Sequence, residues 1–263
     1  MDKEARELIL EKAKKFFKIS IAESHAENTK KLGKLKSFNI NPFTVHYLAS
    51  FAFGDETPTS LAKALIYPRV LGTSIATTFG NNVQTFCHEV LEGYASTTAG
   101  MDIEFIDAVD GRKKYCQLKA GPQTINKDDV ETIEGHFVGL KNLARTNHLQ
   151  NFNPMTDCCV GILYGDHSQI SANYKRIESD YSVFAGSEFW LRLTGDPDFY
   201  DSLIDVFSDC AKDYADTNLL DEVIERLAKD IEKHPEILSY DFAEETNYEV
   251  MQIGDDGTEV SQE

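Results

Sequence analysis

No apolar run in the 263-residue chain reaches the roughly 18 residues that a membrane span needs, so no such span is expected. Cysteine is scarce: Cys87, Cys116, Cys158, Cys159 and Cys210 are odd in number and form no C-x-x-C pair. That argues against a disulfide framework and for free thiols in a reducing interior. Neither His88 nor His136 has a Cys or His partner at ligand spacing, so a structural zinc site is not expected. There is no G-x-G-x-x-G and no GKS or GKT segment, which removes the usual grounds for a nucleotide cofactor. The N-terminus is charged from its start. It lacks the apolar core and small-residue cleavage site of a secretion signal, so a cytoplasmic protein is expected. No internal repeat or low-complexity linker interrupts the chain.

Positive charge is also in short supply. The 26 Lys and Arg residues face 44 Asp and Glu, for a formal net charge of −18. A polyanion of that kind repels nucleic acid if its charge is evenly spread. It is not evenly spread. Residues 1–40 hold 10 basic and 6 acidic residues, whereas residues 201–263 hold 4 basic and 19 acidic. The first 150 residues are close to neutral, and a DNA-binding face there is compatible with an acidic end turned away.

Residues 3–32 repeat Leu8, Ile9, Ala13, Phe16, Phe17 and Ile19 at helical spacing. The lysine-rich piece 30–43 breaks that helix at Gly33. A short helix is expected at 60–66 with Thr59 or Ser60 as cap, and another at 80–93 capped by Asn81 or Asn82. A β-hairpin follows at about 101–107 and 114–120. Residues 128–148 read as a helix whose Asp128 and Asp129 suit its N-terminus. CCVGILYG, 158–165, reads as a buried strand and 181–185 as another. A helix is expected from Ser187 as cap, and helical segments cover about 198–233 with a break near 214–218. The polar end, 244–263, is expected to fray. This order implies a mixed α/β domain around a small central sheet, with helical extensions at both ends.

The hairpin MDIEFIDAVDGRKKYCQLKAG carries the chemistry. Alternation with period two sets Ile103, Phe105, Cys116 and Leu118 on one face. Asp102, Glu104, Gln117 and Lys119 gather on the other. The Asp110–Gly111–Arg112 turn helps fix the pairing. An acid, an amide and a lysine so placed suit divalent-metal phosphodiester hydrolysis, because Mg²⁺ takes hard oxygen ligands and keeps several waters. By pattern alone, an ion-paired solvent face is the plainer reading of the same residues.

The stretch Asp102…Gln117-Leu118-Lys119 resembles the signature of the PD-(D/E)XK nuclease superfamily. More of the chain is similar to one branch of it, the type II restriction endonucleases that cut interrupted palindromes of the GG-N-CC kind. The pieces that carry the resemblance are NINPF (39–43), IYPRVLG (66–72), the hairpin (101–121), VGILYGDHSQISANYKRI (160–177) and VFAGSEFWLRL (183–193). They stand in the same order as in that branch.

The resemblance implies a restriction-endonuclease-like core, Mg²⁺ as cofactor, double-stranded DNA as substrate, and a bacterial or archaeal cytoplasm. It implies a homodimer, since a two-fold axis relates the two cuts in a palindrome. It makes Asp102 the metal-binding acid and Lys119 the catalytic lysine, with the Leu118 carbonyl as a further metal ligand. Gln117 stands where the family has Glu or Asp. A neutral amide binds Mg²⁺ more weakly than a carboxylate, so Glu89 in the preceding helix and Glu104 on the strand are candidates for the second acid. Candidate backbone contacts are Lys30, Lys31, Lys34, Lys36, Arg69, Lys113, Lys114, Lys127, Lys175 and Arg176. Gln123 and Asn126 are the candidate base readers, with the loop 167–176 as a second candidate segment.

The expected division is a helical DNA-contact or dimerisation region, 1–60, a nuclease core, 61–195, and an acidic helical region with its tail, 196–263. The expected activity is sequence-specific, Mg²⁺-dependent hydrolysis of duplex DNA. The alternatives are a nuclease of the same fold without sequence preference and a DNA-binding protein with a degenerate site.

Overall fold

The structure, a computed structural model, describes residues 2–214, 218–234 and 237. The polar stretch 244–263 lies outside the described residues. The chain begins with α1 (Lys3–Phe16), whose N-cap Asp2 accepts the Ala5 amide at 2.8 Å. It continues through a π-helical stretch (Phe17–Glu23) into α2 (Ser24–Lys30). The apolar, aromatic segment that follows forms α3 (Pro42–Phe53), started by Asn41 and Pro42 and stopped by Gly54 at φ 81°. Helix α4 (Pro58–Pro68) is capped by Thr57 rather than Thr59 or Ser60, because Pro58 suits the first helical position and has no amide to satisfy.

A second π-helical stretch, Arg69–Ser74, leads into α5 (Ile75–Asn81) and α6 (Val83–Glu89). Strands β1 (Ile103–Ile106) and β2 (Lys113–Lys119) form the hairpin. Then come α7 (Lys127–Thr146), α8 (Pro154–Asp157), β3 (Cys158–Ile162), α9 (Ala172–Glu178), β4 (Ser182–Ala185), α10 (Ser187–Thr194), α11 (Phe199–Lys212) and α12 (Leu219–Ile231). The cap of α10 is Gly186, not Ser187. A Cβ at Gly186 would stand 1.9 Å from the Gly165 carbonyl oxygen, so only glycine fits between the two loops.

The sheet runs β1-β2-β3-β4. Strand β1 is antiparallel to β2, with Ile103 opposite Cys116. The pairs β2–β3 and β3–β4 are parallel, with Cys116 opposite Cys159 and Val160 opposite Val183. Parallel neighbours need crossover connections, and α7 and α9 supply them. This is the mixed sheet flanked by helices that the element order implies.

Helices cover both faces of the sheet. On one face Ile103, Phe105, Cys116, Leu118, Ala120 and Cys159 pack with residues of α1, α6, α10 and α11, including Phe16, Phe86, Trp190 and Phe199. On the other, Tyr115, Cys158, Val160 and Ile162 pack with Val130, Ile133 and Phe137 of α7 and with Tyr174 and Ile177 of α9. Truncating the fully buried Phe137 to Ala would cost about 3–5 kcal/mol, transfer and cavity terms together.

A third core is all helical. Val45 and Ala49 of α3 and Leu61, Ala62 and Ile66 of α4 meet Val223, Ile224, Leu227 and Ile231 of α12. Helix α4 thus runs across position 60/61, and its core partners are α3 and α12 rather than the sheet.

Candidate active site

Asp102 stands just before β1, at the end of the hairpin where β2 finishes. Its backbone amide donates to the Cys116 carbonyl at 2.9 Å, and its carbonyl accepts the Ser96 amide at 3.1 Å. The regular ladder ends one residue later, at the pair Ile103–Cys116. Beyond that point a side chain replaces the missing strand: Asp102 Oδ2 accepts the Leu118 amide at 2.7 Å. The N–H and C=O of one strand residue point toward the same neighbour. The Leu118 carbonyl therefore opens on the same edge as the Asp102 carboxylate.

The second carboxylate oxygen has a partner from another element. Gln84 on α6 donates its Nε2 to Asp102 Oδ1 at 3.2 Å. One turn along the same helix, the Cys87 thiol is pushed up to about 12 by burial and by the Asp102 charge, and it stays protonated. Glu89 lies at the exposed end of α6, and the residue of this helix that reaches Asp102 is Gln84. Nothing in the sequence flags Gln84. It sits 18 positions upstream of its partner.

Gln117 and Lys119 share the face of Tyr115, toward α7 and α9. That face is no open polar surface. Gln117 is only 6% exposed, and its Nε2 is buried without a hydrogen-bond partner. Lys119 is half-buried and forms no ion pair among the described residues. Glu104 is committed elsewhere. Its Oε2 pairs with Lys113 Nζ at 2.6 Å, and its Oε1 accepts the hydroxyls of Ser96 and Thr98, both at 2.6 Å. Burial pushes the Glu104 carboxyl up, but Lys113 and the two hydroxyls outweigh it and hold the group below the usual glutamate value.

Among the described residues, no group of three or more His, Cys, Asp and Glu side chains gathers as a metal site. The donors at hand are one carboxylate, the Leu118 carbonyl and the amides of Gln84 and Gln117. All offer hard oxygen atoms, the kind Mg²⁺ takes. The Gln117 Nε2 is buried without a hydrogen-bond partner, but as a donor it cannot ligate a cation, so the fit rests on the oxygens. The donor set fits a magnesium ion in type, with little negative charge.

The candidate DNA contacts divide by position. The Lys114 side chain is 1% exposed, and its Nζ bonds Asp110 Oδ2 at 2.5 Å and the Thr156 carbonyl at 2.8 Å. A lysine sealed in that way offers no surface to a phosphate. Its neighbour Asp107 is fully buried and pairs with Arg192 at 2.8 Å. Lys113 is tied to Glu104 and lies over the Tyr115 ring. Asn126 caps α7 in a reciprocal box with Asp129, so its carbonyl oxygen is taken by the Asp129 amide at 3.0 Å.

Lys30 pairs with Glu27, and Lys31 donates to Asn28. Lys34 and Lys36 are exposed beside α12, where Leu35 donates its amide to Asp230. Arg69 is exposed in the stretch after α4. Gln123, Lys127, Lys175 and Arg176 are exposed too, and Arg176 lies 3.6 Å from Glu134.

The structure brings the two candidate loops together. Because β2 and β3 are adjacent and parallel, 121–126 and 164–174 leave the sheet at the same end. The Ser171 amide bonds the Pro122 carbonyl at 2.9 Å, Tyr174 Oη bonds the Gly121 carbonyl at 3.0 Å, and Gln123 Nε2 bonds the Gln169 carbonyl at 3.3 Å. Both loops adjoin Lys119.

No helix among the described residues is long and apolar enough to cross a membrane. A search of curated proteins finds no match. The family model described as Type II restriction endonuclease EcoO109I matches residues 11–215, from within α1 past the end of α11. The match spans well over half of the chain and contains the whole sheet with the Asp102 edge, so the chain belongs to the family of the type II restriction endonuclease EcoO109I.

Proposed function

We propose that this protein is a sequence-specific, Mg²⁺-dependent endonuclease of the PD-(D/E)XK type that hydrolyses double-stranded DNA at a short interrupted palindrome. The observation that carries the reading is the Asp102 carboxylate seated on the Leu118 amide, with the unpaired Lys119 next in the chain. The family match supports the same reading.

Asp102, the Leu118 carbonyl and the amides of Gln84 and Gln117 would hold the ion. Magnesium, when bound, supplies Lewis-acid polarisation of the phosphate and offsets its charge. The protein's own part is positioning and charge. Lys119 as an ammonium has three donors and no acceptor. It orients a water through the water's oxygen and balances charge that grows on the phosphate. The water gives up a proton to bulk solvent as it attacks phosphorus in line, one bridging P–O bond breaks, and the departing sugar oxygen takes up a proton from solvent.

The joined loops 121–126 and 164–174 would lie along the duplex, with Lys127 and Lys175 on its backbone. A palindrome cut in both strands calls for two sites about a two-fold axis, so the working form is a homodimer. Phe43, Tyr47 and Phe51 stand exposed at four-residue steps along α3, an apolar stripe that a second copy would cover.

The test is digestion of plasmid DNA with Mg²⁺, followed by mapping of the ends. Discrete fragments sharing one interrupted palindrome support the reading, and a smear supports a nuclease without sequence preference. A second reading, a DNA-binding protein that no longer cuts, is favoured by the amide at Gln117. It gives a palindrome-specific complex that Mg²⁺ or Mn²⁺ leaves intact.

A further inference from the structure

The parallel pairing of β2 with β3 continues past the strand ends. The Leu163 amide bonds the Lys119 carbonyl at 3.0 Å, and the Tyr164 amide bonds the Ala120 carbonyl at 3.2 Å. The next carbonyl, that of Gly121, leaves the ladder. It accepts Tyr174 Oη at 3.0 Å and Thr124 Oγ1 at 2.9 Å, and the two hydroxyl oxygens lie 3.3 Å apart. From the residue before Tyr174 on α9, Asn173 Nδ2 donates to the Ile125 carbonyl at 2.9 Å. Consecutive residues of α9 thus hold the loop 121–126 at its start and near its end.

We propose that Tyr174 is a positioning residue: through the Gly121 carbonyl it fixes the loop that lies along the DNA relative to Lys119, so that a duplex seated on the loops brings its phosphate to the lysine. This inference rests on the Mg²⁺-dependent nuclease reading of the same site.

The ring and the hydroxyl of Tyr174 have separate tasks. The ring is fully buried and packs in the core between the sheet, α7 and α9. The hydroxyl bonds Gly121 and Thr124, both in the loop. Burial pushes the phenol above its ordinary range, so the hydroxyl keeps its proton and stays a donor to the carbonyl. Gly121 itself cannot carry a side chain, because a Cβ there would stand 2.5 Å from the Tyr164 ring. The turn out of β2 is therefore set from two sides, by the Tyr164 ring and by the Tyr174 hydroxyl. The ladder pins Lys119, and Tyr174 pins the first carbonyl beyond the ladder. Reaction rate is steep in such geometry: a misplacement of about 1 Å far from the chemistry can cost about a hundredfold. Affinity spread over several phosphate contacts is far less sensitive to the same shift. Loss of the hydroxyl should then appear in the rate and hardly in the binding.

Single-turnover cleavage of a duplex spanning the mapped site, with Mg²⁺ and protein in excess, reads the rate. Binding of the same duplex with Ca²⁺ in place of Mg²⁺ reads the affinity. Tyr174→Phe keeps the ring and is expected to cut at least about tenfold more slowly, with an affinity within about threefold of the wild type. Thr124→Val removes the other hydroxyl from the Gly121 carbonyl and is expected to act in the same direction. Hydrogen exchange followed by mass spectrometry gives a readout without cleavage. In Tyr174→Phe the segment 120–126 is expected to exchange at least about tenfold faster, with β3 unchanged. Thermal melts followed by circular dichroism check that each variant is folded. A wild-type cleavage rate in Tyr174→Phe, a rate loss matched by an equal loss of affinity, or unchanged exchange across 120–126 would overturn the role of Tyr174. Failure of the nuclease reading looks different: the wild type itself then leaves plasmid DNA intact with Mg²⁺, and the positioning role falls with it whatever the exchange shows.

Discussion

Asp102 and Leu118 are joined by a side chain where a continuing strand would have used its backbone. Oδ2 accepts the Leu118 amide at 2.7 Å, just past the last regular pair of the hairpin. In the proposed mechanism the carboxylate therefore has two duties, ending the sheet edge and supplying an acid to the site. The two can be separated. Asp102→Asn keeps an oxygen acceptor for Leu118 and removes the charge. It should leave unfolding free energy within about 1 kcal/mol and lower DNA cleavage at least about a hundredfold. Asp102→Ala should lose cleavage and about 1–3 kcal/mol of stability, because the Leu118 amide is left without its partner. Urea denaturation of both variants reads the difference.

Lys114 gives the opposite pattern. Its buried ammonium, held by Asp110 and the Thr156 carbonyl and 3.6 Å from Asp107, ties the hairpin turn to the segment before β3. Lys114→Met leaves Asp107 and Asp110 short of a partner and should cost about 3–5 kcal/mol. The salt dependence of DNA binding should stay as in the wild type. A shallower slope for this variant would put Lys114 on the DNA after all.

The joined loops predict where the phosphates lie. Lys127→Ala and Lys175→Ala should each reduce the slope of log K against log salt by about 0.9, with similar losses on unrelated sequences. Lys30→Ala, a residue already paired with Glu27, should change it less. Filter binding across a salt series measures all three.

Glu104 sets a prediction for acid stability. Lys113, Ser96 and Thr98 hold its carboxyl below the usual glutamate value despite its burial. A carboxyl whose folded pKa is depressed stabilises the fold at pH above its unfolded value and loses that contribution as pH falls through the folded one. Asp157, also buried and held down by Arg112 and the Asn153 amide, acts in the same direction. Stability should therefore fall as pH drops below about 4, and Glu104→Gln should flatten that fall. Melting temperatures between pH 3 and 7 report it. A Glu104→Gln profile with the wild-type slope would remove Glu104 from the account.

The hairpin, its turn and its alternation were legible because period two and an Asp-Gly pair act locally. The same was true of α7, marked by Asp128 and Asp129 before an apolar repeat; its cap, Asn126, reads instead as a base reader. Burial was less legible. Alternation assigns Gln117 to a face, but only the packing of α7 and α9 makes that face an interior. Lys114 looks like a surface lysine in sequence because its partners, Asp110 and Thr156, meet it through the turn and through a neighbouring strand's entry. Gln84 was invisible for a related reason: its hydrogen bond depends on where α6 ends up against β1. The segments 122–127 and 167–176 read as two separate candidates, and the parallel pairing of β2 with β3 brings them to one end of the sheet.

The most direct measurement is cleavage of one plasmid, with Mg²⁺, by the wild type, Asp102→Asn and Lys119→Met side by side, with the ends sequenced. The account predicts discrete wild-type fragments whose ends share one interrupted palindrome, and intact plasmid with both variants. Wild-type-like cutting by either variant, or an uncut plasmid known to contain every such palindrome, would contradict it.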